Sequence, residues 1–160
     1  MIDTGDNMQR VLGALRELGE SPDVLVVEEG THTAEMAAAA AGCELGAIVK
    51  TLVAYVAGTP HLILVAGDRR LDDRLVATLF GVGRKQVKLA NPEQVLEVTG
   101  YPVGGVSPFG TPRQLDVLVD ESLGRFETVW IAGGTPSAIL PIALDALVRH
   151  TGGRLAAVAG

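Results

Sequence analysis

The sequence predicts an α/β domain built on a mixed sheet. Three observations carry that expectation. Short runs rich in Val, Leu and Ile alternate with segments whose apolar residues recur at helical spacing. Two strand-like runs are joined by Gly58-Thr59-Pro60, a turn that makes a hairpin, so the sheet is not wholly parallel. The chain has 160 residues, 48% of them hydrophobic and 20% charged, which suits one domain with a real core.

The elements follow in order. Residues 6–19 place Met8, Val11, Leu12, Leu15 and Leu18 at helical spacing, and Gly19 ends the pattern. Pro22 leads into a short strand, "VLVV". Thr33 can cap the next helix, with Glu35 in its first turn, and "AEMAAAAAG" runs to Gly42 as a stop. Residues 46–58, "GAIVKTLVAYVAG", read as a strand apolar on both faces, and "HLILVAG" returns beside it. Asp72 or Asp73 can start a helix through "RLVATLFG", and "KQVKLA" is a further short strand. Asn91 as cap with Pro92 at the first helical position starts a helix that stops at Gly100. After the irregular loop "YPVGGVSPFGTPR" come the strands "LDVLVD" and "TVWIAG". A turn at Gly133-Gly134 and a last helix near "IALDALVRH" follow, with "RLAAVAG" as a closing strand. The sequence holds no repeat, low-complexity block or linker.

Composition narrows the function. A net charge of −6 argues against a protein that coats long nucleic acid, though a local basic patch could still meet the end of one. With one cysteine, Cys43, neither an internal disulfide nor a multi-cysteine zinc site can form. The N-terminal residues have no apolar signal core and no apolar run reaches membrane-spanning length, so the expected location is the cytoplasm, with no membrane contact.

Four features could carry chemistry. Lys50 lies among Ile48, Val49, Leu52 and Val53, where an ammonium is costly unless paired or opening on a cavity. Snorkelling from the strand's start is the other reading, and the pattern does not choose between them. "GGVSPFG", residues 104–110, lets backbone approach a ligand and could aim an N–H at an oxyanion; alone it also reads as a tight connection. Ser107 is not in a nucleophile elbow, because Phe109 takes the second glycine's place. "AGGTPS" is a second glycine turn without P-loop spacing. Arg69, Arg70, Arg74, Arg84, Lys85 and Lys88 form the one basic cluster, diluted by Asp68, Asp72 and Asp73. His32, His61 and His150 show no metal spacing.

In combination these parts have a familiar order: "AAAAAGCELGAIVKTLV", "LVAGDRRLD", "TGYPVGGVSPFG", "VLVDESL", "VWIAGG". The chain resembles the YbaK family of aminoacyl-tRNA deacylases, related to the editing domain inserted in bacterial prolyl-tRNA synthetases. The likeness spans roughly residues 5–155, and the I-V-K-T-L and G-G-V-S-P pieces carry it jointly.

The resemblance implies a single compact domain over residues 1–160, with a mixed, strongly curved sheet and flanking helices. It implies hydrolysis of the ester between a wrong small amino acid, such as Ala, Cys or Ser, and tRNA, with no cofactor and no metal. The partners would be the 3′ end of mischarged tRNA and a synthetase, and a second copy of the chain is a further candidate. Lys50 and Gly105 take the catalytic positions, Lys50 holding the substrate and a backbone N–H near Gly105 stabilising the oxyanion, an effect worth about 3 kcal/mol in comparable sites. Thr51, Gly104, Val106, Ser107, Pro108, Phe109, Gly133 and Gly134 fall at substrate-contacting positions. Arg69, Arg70, Arg84 and Lys85 are the tRNA-facing set.

Two departures bear on specificity. Ile139 stands where members removing cysteine carry an acid, and the tyrosine expected before the Ala-rich helix is missing. The acyl pocket is then expected from His32, Met36, Val106 and Phe109. A non-catalytic module that binds aminoacyl-tRNA or aminoacyl-adenosine on a synthetase is the rival reading.

Overall fold

The structure, a computed structural model, describes residues 4–27 and 33–160. Helix α1 (Thr4–Glu17) turns Val11 and Leu15 into the core and is followed by the short strand β1 (Leu25–Val26). Helix α2 (Ala34–Ala41) starts where the Thr33 hydroxyl accepts the Met36 N–H and stops at Gly42 in the left-handed region. Strands β2 (Val49–Val56) and β3 (Thr59–Ala66) form the expected hairpin. Asp72 caps α3 (Asp73–Phe80), accepting from the Arg74 and Leu75 N–H groups. After β4 (Val87–Leu89), Asn91 and Gln94 close a reciprocal capping box on α4 (Pro92–Thr99). The chain ends with β5 (Asp116–Asp120), β6 (Thr128–Ala132), β7 (Ala138–Ala143), α5 (Leu144–Thr151) and β8 (Arg154–Ala156).

The fold is mixed α/β, as expected, but its strands fall into two sheets. The larger has the order β4-β2-β3-β5-β8, antiparallel around β2 and parallel from β3 to β8. The smaller is the antiparallel set β1-β7-β6. One parallel bridge, Ile48 to Trp130, links them.

Strand β7 fills the stretch between the expected Gly133-Gly134 turn and the last helix, which starts only at Leu144, and it carries Pro141, a residue that usually marks a break in a sheet. Its register explains the tolerance. Ala138 O accepts from Gly133 N–H on the β6 side, while Ser137 O accepts from Val27 N–H on the β1 side. Odd-numbered residues of β7 therefore aim their backbone toward β1, and β1 pairs only with Ala138 and Ile139. The missing N–H of Pro141 points past the end of β1 and breaks no ladder bond.

Strand β2 is buried on both faces. Val49 and Val53 join the main core with α1, α4 and the small sheet, while Ala54 and Val56 pack with Val76 and Ala77 of α3. A third cluster joins Ala37 and Ala38 of α2 to Ile48 and Ile139. Asp120 ties down the C-terminal tail: its Oδ1 accepts from the N–H groups of Val158 and Ala159, both at 3.0 Å.

Candidate functional site

A cavity of about 450 Å³ lies against the edge of β2. Ile48 and Val53 mark its two ends along the strand, with Lys50 and Thr51 between them. At the Ile48 end the walls are Ala34 and Ala37 of α2, Trp130 of β6 and Ile139 of β7. At the Val53 end they are Leu89, Ala90, Val95, Val103 and Val106. Gly104 and Pro136 close the side facing the two glycine loops.

Lys50 is half-buried, and its Nζ donates to the backbone oxygen of Arg69 at 2.6 Å. It neither snorkels freely nor sits sealed in the core. Burial pushes its pKa below the ordinary 10.5; the nearby Arg70 adds to that, and Glu35 and Asp68 oppose it. Thr51 supplies a second polar side chain from β2 to the cavity wall. Its Oγ1 is buried and has no hydrogen-bond partner among the described residues. An unsatisfied buried hydroxyl costs free energy that a ligand could recover.

The Gly104–Pro108 loop divides its roles. Gly104 (φ +85°) and Val106 line the cavity. The Gly105 N–H, expected near the oxyanion, donates to Pro102 O at 2.9 Å and closes the turn. A side chain at Gly105 would meet the Thr135 backbone at 2.7–2.8 Å, so glycine at this position lets the two glycine loops touch. Ser107 is fully buried and its Oγ accepts the Phe109 N–H. Phe109 belongs to the main core, where its carbonyl accepts the Tyr101 hydroxyl. Neither contributes to the cavity wall, nor does Pro108.

Other expected contacts fall elsewhere. Met36 is exposed on the outer side of α2, and Ala34 and Ala37 take the wall in its place. His32 lies outside the described residues. Gly133 donates its N–H to Ala138 O, and Gly134 packs against Asn7 of α1, whose Nδ2 donates to the Gly134 carbonyl. Neither glycine lines the cavity, although Ala132 and Pro136 beside them do. Of the basic set, Arg69 pairs with Asp68 at 3.2 Å and Arg84 with Asp73 at 3.0 Å. Arg70 and Lys85 are exposed. Among the described residues no cluster of three His, Cys, Asp or Glu is placed to hold a metal ion.

Trp130 is one of several wall residues that the sequence did not single out. Its place follows from the small sheet, and the strand that pairs with it carries the proline that masked that sheet. Ile139 had been singled out only as a missing acid; it is buried and apolar at the end of the cavity nearest α2.

Comparison with known proteins agrees with this architecture. The aminoacyl-tRNA editing domain matches residues 28–150. A solved structure of a candidate trans-editing enzyme for prolyl-tRNA synthetase superposes with a TM-score of 0.90 at 37% identity, covering 96% of this chain and 97% of that one. The uncharacterized protein YwhH of Bacillus subtilis is 35% identical over 121 residues, 75% of each chain. The candidate Cys-tRNA(Pro)/Cys-tRNA(Cys) deacylase EbsC of Enterococcus faecalis is 28% identical over 127 residues, 79% of this chain and 76% of that one. A proline–tRNA ligase of Maridesulfovibrio salexigens is 41% identical over 108 residues, which are 68% of this chain but only 18% of the ligase. By the matched family, the shared fold and these relatives, the chain belongs to the aminoacyl-tRNA editing domain family.

Proposed function

We propose that this chain is a trans-acting deacylase that hydrolyses the ester of tRNA mischarged with a small amino acid such as Ala, Cys or Ser. The observation that carries the reading is one half-buried ammonium, Lys50, on the wall of a mainly apolar cavity beside the Gly104–Val106 turn. The apolar Ile48–Trp130–Ile139 end suits a small acyl group and offers no carboxylate to a substrate amine.

The chemistry asked of the residues is modest. Water attacks the ester carbonyl, a tetrahedral oxyanion forms, and the ribose oxygen leaves with a proton. Lys50 holds the ester or the terminal phosphate and favours the developing negative charge. The Thr51 hydroxyl, buried and unpartnered among the described residues, is a second donor on the cavity wall, leaving β2 on the opposite face from Lys50. The described wall carries no Asp, Glu, His or Cys, so the base is assigned to the substrate, through its free ribose hydroxyl. The likeness to a segment of proline–tRNA ligases makes the tRNA read by those enzymes the first substrate body to test, and a prolyl-tRNA synthetase the first partner.

A second reading rests on a specific observation. The Lys50 ammonium is engaged by Arg69 O and the Gly105 N–H by Pro102 O, so the cavity as it stands holds few free catalytic groups. A module that binds the aminoacylated end without turnover fits that state. The test is a panel of alanyl-, cysteinyl- and seryl-tRNA(Pro), incubated with wild type and Lys50→Ala. Hydrolysis of at least one ester by wild type and its loss in the variant is the expected result. Equal, background hydrolysis by both proteins, with retained binding of a non-hydrolysable analogue, would establish the binding module instead.

A further inference from the structure

We propose that the open edge of β2 reads the adenine of the substrate's terminal adenosine through its main chain, with Thr51 C=O and Val53 N–H as the reading pair. The inference rests on the aminoacyl-tRNA reading and adds to it the group that recognises the base.

The register of β2 fixes which backbone groups face which way. Ile48 O accepts the Gly67 N–H at 2.8 Å, so even-numbered residues aim their backbone at β3. Val53 O accepts the Ala90 N–H at 2.9 Å, so odd-numbered residues aim theirs to the opposite side. On that side β4 pairs only with Ala54–Val56, and among the described residues the small sheet forms a backbone bridge only at Ile48. Thr51 and Val53 lie in the gap, and both line the cavity. Among the described residues nothing hydrogen-bonds the Thr51 C=O or the Val53 N–H on this side. Unpaired groups on a strand edge are a template for a partner, and here the gap is shaped for something smaller than a strand.

A carbonyl at one residue and an N–H two residues on present an acceptor followed by a donor. Adenine presents the complement, its N6 amine as donor and N1 as acceptor, on the Watson–Crick edge that proteins read in unpaired nucleotides. Hypoxanthine and guanine present the reverse. The walls at this end, Val95, Val106, Leu89 and Val103, are aliphatic and suit the two faces of a flat ring. Leu89 and Val103 are 60% and 56% exposed, so the ring would enter across an apolar rim. With the base at the Val53 end, the acyl group falls toward Ile48 and Trp130, with Lys50 between them.

The test uses the full chain and three non-hydrolysable 3′-alanylamido nucleosides whose bases are adenine, purine and hypoxanthine. The adenine compound should bind and move the Val53 amide proton downfield in NMR spectra. Removal of the amine should weaken binding by about tenfold, and the reversed pattern of hypoxanthine by about 10- to 100-fold, without the Val53 shift. Equal binding of all three, no binding of the adenine compound, or a Val53 amide that does not respond would overturn the proposal. Failure is separable from that of the deacylase reading. A base-selective Val53 response without ester hydrolysis sinks only the enzyme, and hydrolysis with no base preference sinks only this inference.

Discussion

Lys50 Nζ donates to the carbonyl oxygen of Arg69 at 2.6 Å, holding an ammonium from β2 against the turn that leaves β3. The strand's register could not reveal that contact, but its consequence is testable. Burial is the main cause that lowers the Lys50 pKa below 10.5. A lysine whose folded pKa lies below its unfolded one opposes folding at neutral pH, because the unfolded chain holds the proton better. The penalty shrinks as pH rises through the folded value and is gone above 10.5. Lys50→Met should therefore be at least as stable as wild type at pH 7, with its advantage shrinking as the pH approaches 10.5. Deacylation should fall by about 100-fold. Urea midpoints at several pH values, read beside activity, check both parts; a large loss of stability at pH 7 would make the lysine a structural residue.

Gly104 and Gly105 should behave differently when each becomes alanine. At Gly104 the cost is conformational, since φ is +85° and the nearest atoms to an added Cβ are those of Pro136 at 3.8 Å. Gly104→Ala should lose about 1–2 kcal/mol. At Gly105 the added carbon meets Thr135 backbone at 2.7 Å, which forces two loops apart. Gly105→Ala should lose about 1–3 kcal/mol and misplace the cavity wall. Chemical denaturation gives the stabilities. Intact activity in Gly105→Ala would show that the packing of these loops does not matter to the site.

Trp130 bounds the Ile48 end of the cavity, where the acyl group is proposed to sit, so its size should set the largest acyl group accepted. Trp130→Ala should raise the rate on leucyl- relative to alanyl-tRNA by about tenfold or more, given about 1–3 kcal/mol per methylene accommodated. Competition kinetics on the two esters measure this ratio directly. An unchanged ratio would move the acyl group away from Trp130.

The local signals were legible because each depends on neighbours in sequence. Thr33, Asp72 and Asn91 cap their helices as their residue types require, and Gly42, Gly81 and Gly100 end helices in the left-handed region. The hairpin and both faces of β2 followed from a turn and a period of two. What stayed hidden depends on distant partners. Pro141 looks like a breaker until the end of β1 is placed beside it, and without β7 there is no small sheet to bring Trp130 and Ile139 to the cavity. The glycine loops were legible as close approaches, but not as approaches to each other. Lys50, Thr51, Gly104 and Val106 do share one wall, whereas Ser107 and Phe109 are spent on holding the loop.

Arg125 grips Asp68 through two hydrogen bonds of 2.8 and 2.9 Å, beside the turn that carries Arg69 and so receives Lys50. Hydrogen bonding from Arg125 is the main cause that lowers the Asp68 pKa below 3.8. The sign follows from a depressed carboxylate: its stabilisation is present above the unfolded value and is lost as pH falls through the folded one. Arg125→Gln should thus be less stable than wild type by about 1 kcal/mol or less near neutrality, as partly exposed pairs are. The gap should close below pH 3.8. A gap independent of pH would assign the loss to packing of Arg125 on Phe126 instead.

Asp120 should prove the most costly single carboxylate to remove. It is 1% exposed, and its two oxygens divide their work. Oδ1 takes the N–H groups of Val158 and Ala159, and Oδ2 takes the N–H and hydroxyl of Ser122. Those bonds hold the tail so that Val158 packs with Val65, Val76 and Leu118 behind the larger sheet. Asp120→Ala leaves buried N–H donors unsatisfied, at about 1–3 kcal/mol for each, and loosens the tail from the core. Asp120→Asn keeps the shape and one acceptor oxygen, so it should recover part of the loss. Urea titrations of both variants, with hydrogen exchange at Val158 and Ala159, provide the check. If the two amides exchange no faster in Asp120→Ala than in wild type, the tail is held by its apolar contacts and the carboxylate is dispensable.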